Sequence, residues 1–422
     1  MIAEIIAAGS ELLTPHRQDT NSLYLTQGLN DLGVSVAFKT IVGDNRAHLT
    51  NAIRIALTRA DILLLSGGLG PTEDDLTREC VAEALNLELY RDPDTMTELY
   101  KRFAARRIPM PPNNEKQAEV IDGAQLLPNK NGSAPGQYLD TRITSPEGDL
   151  HRKIVILLPG PPKELMPLFD EAVKPRLAAS LPPRYIAKRV LRMALIPEST
   201  VDARTAPIYK QFADVETTIL AARGEIQLHF TCSKPTQQEA QSRVDAVTEL
   251  VEAELGDDIF SSQGESLEEI VILMLGLHNL TLAVAESCTG GLLSQRLTDI
   301  PNASRSFHGG VIVYASEQKT NLCAVPADLI QQKGAVSEEV ARALAEGIRT
   351  ATECSLGLSI TGIAGPPVTE GPDANKPVGL VYIALADEHD TQVKQLQIPG
   401  DRERVRLWAS QHALELLRRR LQ

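Results

Sequence analysis

The chain has 422 residues, 43% of them hydrophobic and 23% charged, an ordinary globular composition that excludes a disordered chain. It is about three times as long as a typical domain of ~150 residues, so two to four domains are expected. A net charge of −13, from 42 basic and 55 acidic residues, opposes non-specific binding to nucleic acid and to acidic membranes.

The most apolar segment, Ile270 to Leu277, is too short to span a bilayer. The start, Met1-Ile2-Ala3-Glu4, lacks the basic region of a signal peptide, so a cytoplasmic location without membrane contact is expected. Cys80, Cys232, Cys288, Cys323 and Cys354 are widely spaced with no C-x-x-C pair, which predicts neither a disulfide framework nor a structural zinc site.

In chain order, Ile2 to Ala8 reads as a strand, Ser22 to Leu32 as a helix, Val34 to Val42 as a strand, Leu49 to Thr58 as a helix and Ile62 to Leu65 as a strand. Such alternation predicts a parallel sheet covered on both faces, with ligands beyond the carboxyl ends of its strands. The chain looks irregular around Pro109 to Asn114 and again around Pro128 to Gly136, Lys153 to Leu158 is a further strand, and Pro182-Pro183 reads as a linker. A small α+β segment follows: a strand around Val190 to Leu195, a helix near Ser199 to Phe212, a strand pair at Thr217 to Leu220 and Ile226 to Cys232, and a helix from Gln237 to Leu255. Arg184 to Lys210 is a basic island of six cations and two anions. From about Ser261 a second α/β pattern runs through a strand at Thr281 to Ala285, a strand at Gly310 to Tyr314 and a last helix at Arg402 to Arg420.

Four constellations carry chemistry. Gly67-Gly68-Leu69-Gly70-Pro71-Thr72-Glu73-Asp74-Asp75 follows a strand and precedes a helix, so its amides can meet phosphate oxygens while Asp74 and Asp75 offer hard ligands for Mg²⁺. The same residues serve equally as a helix cap, worth about 1 kcal/mol. Ala285-Glu286-Ser287-Cys288-Thr289-Gly290-Gly291 sets three candidate nucleophiles at a helix start without a histidine base. Tyr314 and Lys319 follow the next strand. An unperturbed lysine is neutral less than ~0.1% of the time at pH 7, so only burial makes Lys319 a base. Ser316-x-x-Lys319 is a competing internal pair on one helix face, and spacing alone does not choose between the two serines. Thr361-Gly362-Ile363-Ala364-Gly365-Pro366 and Lys376-Pro377-Val378-Gly379 are glycine-rich turns able to wrap a ligand. His308 reads as an unassigned polar neighbour of the second constellation, and His412 as core packing beside Trp408. Arg402, Arg404 and Arg406 suit either a phosphate or a solvated helix face.

Over its full length the chain resembles the competence/damage-inducible protein A (CinA) family. The resemblance is carried by the Gly67-to-Arg78 segment, Leu158-Pro159-Gly160-Pro161-Pro162-Lys163-Glu164-Leu165, Ala285 to Gly291, Gly334-Ala335-Val336-Ser337, Thr361 to Pro366 and Lys376 to Gly379. It implies a molybdopterin-binding-like parallel α/β domain over residues 1–175, a KH-type α+β domain over 184–258 and a C-terminal α/β amidase domain over 262–422. The amidase would convert nicotinamide mononucleotide to nicotinate mononucleotide and ammonia without a cofactor, and the first domain would be an ADP-ribose pyrophosphatase dependent on Mg²⁺ or another divalent metal. Carried over by position, Ser287 is the nucleophile with Lys319 and Tyr314 activating it. Thr289, Gly290, Gly291, Thr361 and Gly362 bind its substrate, the amides near Thr289 to Gly291 holding the oxyanion. Gly68, Asn21 and Asn114 bind the other substrate, and Asp74 and Asp75 hold the metal. Small-molecule nucleotides and a second copy of the chain are the implied partners. Gly224 stands alone where a KH domain needs a G-x-x-G loop, so nucleic acid is not expected as a partner. Ser316 stands where the family commonly has asparagine. A protein of another class, a non-catalytic pterin-binding or scaffolding protein of DNA uptake, would use the same glycine loops only as ligand cradles.

Overall fold

A computed structural model of the chain describes residues 1–144, 148–182, 184–222 and 224–422; Pro183 of the expected linker lies outside the described residues. Two compact units are present, Met1–Ile186 with Ser233–Ala240, and Ala187–Cys232 with Gln241–Gln422.

In the first unit a six-stranded sheet runs in the order Ser35–Val42, Ile2–Ala8, Ile62–Ser66, Leu150–Leu158, Gly136–Thr144, Gln125–Leu127. Ile62–Ser66 is buried at every position because helices cover both faces. Alternate side chains divide between those faces: Ile62 and Leu64 pack with Leu25, Leu29 and Phe169, whereas Leu63 and Leu65 pack with Leu49, Ile53 and Val81. The first four strands are parallel. The expected wholly parallel sheet is corrected to a mixed one, since Gly136–Thr144 and Gln125–Leu127 add an antiparallel edge. That edge carries little sequence signal: Gln125–Leu127 is only three residues long, and Gly136–Thr144 buries its first four residues in a row before it alternates.

Mainly within the second unit, the strands Glu216–Ala222, Glu225–Lys234, Tyr185–Ala194 and Ile259–Ser261 form a sheet in that order, with the helices Glu198–Tyr209 and Gln237–Leu255 completing an α+β module. Its period-two pattern is plain in Ile226, Leu228, Phe230 and Cys232, all buried. A five-stranded sheet follows, in the order Phe307–Ile312, Leu282–Glu286, Leu356–Gly362, Leu380–Ala386, Thr391–Gln397. Its first three strands are parallel and its last two antiparallel. The Phe307–Ile312 strand stops two residues short of Tyr314, which lies beyond it instead of ending it.

The helix Glu338–Thr352 is capped by the Ser337 hydroxyl, which accepts from the Val340 amide, and lays Val340, Ala341, Leu344, Ala345 and Ile348 on the sheet. Truncating such a residue, as in Leu344→Ala, costs about 2–5 kcal/mol. A Cβ on Gly347 of this helix would stand 1.8 Å from the Cys323 carbonyl oxygen, so the short helix Ser316–Cys323 lies against it at backbone contact. That contact fixes the helix that carries Lys319. All five cysteines are buried. No helix among the described residues is long and apolar enough to cross a membrane.

Candidate functional site

In the C-terminal module, Ser287 follows the strand Leu282–Glu286 at the carboxyl end of the parallel strands, where open α/β sheets bind ligands. Its amide donates to the Ile360 carbonyl on the neighbouring strand at 2.9 Å. Lys319 reaches the same point from the helix Ser316–Cys323: its Nζ donates to the Val313 carbonyl at 2.7 Å and lies 3.2 Å from Ser287 Oγ. The amine is 1% exposed, and burial holds its pKa below the ordinary lysine value. Ser316 is exposed at the start of that helix, with Lys319 turned inward, so the serine that the structure pairs with Lys319 is Ser287. Cys288 is a poor nucleophile here, because burial pushes its thiol up to about 12.

Glu286 organises the turn from beneath. Fully buried, its carboxylate accepts from the amides of Gly291, Leu293 and Ser294 at 3.0, 3.1 and 2.7 Å and from the Ser294 hydroxyl. Gly290 and Gly291 take left-handed φ values of 59° and 94°, a tight course open to glycine. The Gly290 amide is occupied by the Ser287 carbonyl and that of Gly291 by Glu286. Of the amides expected as oxyanion donors, those of Gly290 and Gly291 are thus engaged, while among the described residues the Thr289 amide meets no acceptor and the neighbouring Cys288 amide meets only its own thiol.

The other expected residues lie around this turn in different states. Thr361 is buried with its hydroxyl donated to Ala335, and a Cβ on Gly362 would stand 3.1 Å from Cys288 Sγ. Tyr314 is 62% exposed and its hydroxyl accepts from Arg402. Arg406 donates to the Thr289 carbonyl, and Arg404 stacks on the Trp408 ring. Asp373 accepts from the Ala335 and Val336 amides and pairs with Lys376, tying the loop before Gly379 to this end of the sheet. His308 is not a neighbour of the turn. It begins the strand Phe307–Ile312 at the opposite end and faces Cys354 Sγ at 3.5 Å. His412 is partly buried beside Trp408, and burial lowers it to about 4.

In the first unit a cavity of about 550 Å³ opens beyond three parallel strands, lined by Ala8 and Gly9, by Ser66 to Thr72, and by Pro159 to Pro162. A Cβ on Gly67 or Gly68 would come within 2.3 Å of the Ala8 carbonyl or 2.2 Å of Thr77 Oγ1, so this loop admits only glycine. Asn21 and Gly68 line the cavity, and Asn21 donates to the Gly160 carbonyl at 2.7 Å while its Oδ1 is buried without a partner among the described residues. Asn114 stands one side chain back, donating to Gln117, which does reach the lining.

Asp74 and Asp75 also line the cavity, but Asp75 Oδ2 accepts from both the amide and the hydroxyl of Thr72. The helix Thr77–Leu85 has Leu76 at its N-cap position with no side-chain cap, so these residues close a turn ahead of the helix. Among the described residues, no group of three or more His, Cys, Asp or Glu side chains converges on a metal position. The donors that remain, Asp74, Asp75 and Asn21 Oδ1, fit a Mg²⁺ that keeps waters and is shared with a ligand's phosphates, and do not fit a closed protein cage.

Three family profiles cover the chain: a probable molybdopterin binding domain over residues 4–179, the damage-inducible protein CinA KH domain over 188–261, and the CinA C-terminal domain over 264–421. The CinA-like protein of Acidobacterium capsulatum is 58% identical over all of both chains, and that of Koribacter versatilis 55% over the same extent. The chain belongs to the CinA family. Among solved CinA structures, the protein CinA with unknown function from Thermoplasma acidophilum is 30% identical over 41% of this chain and 96% of its own, with a TM-score of 0.37.

Several working contacts of this CinA chain left no mark in its sequence. The Glu286 carboxylate under the serine turn, the Arg406 bond to Thr289 and the Asp373 clamp join residues that no short motif connects. Glu286 was within reach, since a carboxylate just ahead of a helix start is placed to accept its first amides. Arg406 lies 117 residues from Thr289, too far for any local pattern.

Proposed function

We propose that the C-terminal module hydrolyses the carboxamide of nicotinamide mononucleotide to nicotinate mononucleotide and ammonia, with Ser287 as nucleophile and Lys319 as its base. The observation that carries this reading is the buried amine 3.2 Å from Ser287 Oγ. Burial favours the neutral amine, which a general base must be.

Oγ attacks the amide carbon while its proton passes to Lys319 Nζ. The carbonyl electrons move to oxygen, then return as the C–N bond breaks, and Lys319 gives its proton to the departing ammonia. Water, losing a proton to the same amine, adds to the ester carbon, and as the C–Oγ bond breaks Lys319 returns that proton to Ser287 Oγ, freeing the acid and the enzyme. A positioned base of this kind is worth about 10²- to 10⁴-fold. Ammonia release from nicotinamide mononucleotide tests the reading: Ser287→Ala abolishes it and Ser316→Ala retains most of it, whereas the reverse result moves the nucleophile to Ser316.

For the N-terminal cavity we propose metal-dependent cleavage of the ADP-ribose diphosphate. Asp74 and Asp75 would hold the divalent metal, which when bound polarises a phosphoryl oxygen. The chain's own part is to cradle the diphosphate on the Gly67 to Gly70 backbone, with Asn21 Oδ1 offering an unpaired acceptor.

A further inference from the structure

We infer that Arg406, from the last helix, is the residue that holds the oxyanion-binding turn of the C-terminal site in its reactive shape, the donors being the amides of Cys288 and Thr289. The inference rests on the reading of Ser287 as nucleophile.

The turn is anchored at both ends. The Ser287 amide is tied to Ile360, and Glu286 gathers the amides of Gly291, Leu293 and Ser294. Between these anchors lies the peptide plane joining Thr289 to Gly290, held from the backbone only by two long bonds, its N–H to the Ser287 carbonyl at 3.1 Å and its carbonyl from the Leu292 amide at 3.3 Å. Its orientation depends on ψ of Thr289 and φ of Gly290, and a glycine at φ 59° lets such a plane rotate at little steric cost. If it turned over, the Thr289 carbonyl oxygen would swing away from Arg406 and the backbone on either side would have to readjust. That readjustment would move the Thr289 amide, one of the two donors the turn leaves open.

Arg406 opposes this motion. Its Nη2 donates to the Thr289 carbonyl at 2.7 Å and its Nε at 3.3 Å, a two-pronged grip that a single-donor side chain does not reproduce. Thr289 is fully buried, so its side chain cannot follow a rotating plane into solvent. Among the described residues no carboxylate pairs with Arg406, so its positive charge stays uncompensated beside the turn, where it favours a developing oxyanion. The guanidinium contacts the turn from behind and is thus a positioning residue.

The test uses a fluorophosphonate. In that reaction Ser287 Oγ displaces fluoride from phosphorus, its proton passes to Lys319, and the phosphoryl oxygen takes the place of the oxyanion. The full chain is incubated with the reagent and the second-order rate of Ser287 modification is read by intact mass, beside the thermal unfolding midpoint of each variant. Arg406→Met is expected to label about 10- to 100-fold more slowly than wild type while still folded, with the pH midpoint of the reaction unchanged. Arg406→Gln, which keeps one donor, is expected to lie between the two. Equal rates in wild type and folded Arg406→Met overturn the inference and leave the nucleophile standing. A loss that merely follows the folded fraction across both variants overturns it as well. No labelling of wild-type Ser287 overturns the nucleophile, and the inference with it.

Discussion

Arg402 Nη2 donates to the Tyr314 hydroxyl at 3.0 Å, while Nη1 of the same guanidinium donates to the Gly365 carbonyl. The phenol is thereby drawn toward the last helix, and its recorded partner is a permanent cation and not Ser287 or Lys319. Tyr314→Phe is therefore expected to keep kcat for nicotinamide mononucleotide within about tenfold, whereas Lys319→Met lowers it by about 10²- to 10⁴-fold. Steady-state ammonia release compares them, and an equal collapse in both would put the phenol in the proton path.

In the proposed reaction the neutral form of Lys319 is the active one, so kcat/KM is expected to rise with pH through the amine's pKa. Burial lowers that pKa, so the midpoint of the rise should fall below the ordinary value of 10.5. The anionic groups that bear on the amine, Asp373 and Glu317, work against burial by favouring its charged form. Asp373→Asn is thus expected to move the acid limb to lower pH. A limb at the unperturbed lysine position, or one that moves upward in that variant, refutes the assignment.

Glu286→Gln replaces a carboxylate that accepts four hydrogen bonds by an amide that brings two donors of its own into a site already filled with N–H groups. The expected loss is about 1–3 kcal/mol for the unsatisfied polar groups. Urea unfolding of the chain measures it, with a concomitant fall in Ser287 reactivity.

In the first unit, Asp75→Ala should abolish divalent-metal-dependent cleavage of ADP-ribose, because the variant loses both a ligand and the partner of Thr72. Thr72→Val separates the two roles: it removes the hydroxyl contact but leaves the carboxylate in place. Metal titration followed by product release is the measurement, and undiminished activity in Asp75→Ala would end the metal assignment.

Burial holds His412 at about 4 against an ordinary 6.5. Between these values the unfolded chain binds more protons at this ring than the folded one, so stability is expected to increase as pH rises through that window. Above it the ring contributes no further slope. Denaturant unfolding at several pH values should show His412→Leu with a flatter profile there than wild type.

The parts of this chain that its sequence discloses are those governed by local backbone needs. The loop from Gly67 to Gly70 and the pair Gly290 and Gly291 are readable because left-handed φ or backbone contact admits little else, and the strands Ile2–Ala8 and Ile62–Ser66 because burial on both faces demands runs that are apolar apart from Glu4 and Ser66. The meeting of Lys319 with Ser287 was one of two pairings that spacing allowed. Depth decided it, since Ser316 opens its helix in solvent and Lys319 points inward. The antiparallel edge at Gly136–Thr144 and the strand Thr391–Gln397 escaped notice because their patterns mix polar and apolar residues without a clear period. Which amides of the turn are open was not legible for another reason: two glycine amides at a helix start look available until the buried carboxylate that claims one of them is seen.

Arg406 is joined to Thr289 across 117 positions of chain. During translation the serine turn is therefore complete in sequence long before its guanidinium brace has been made. A nascent chain therefore carries the serine turn without this brace, and gains the contact only after the helix Arg402–Leu421 has been made and has docked.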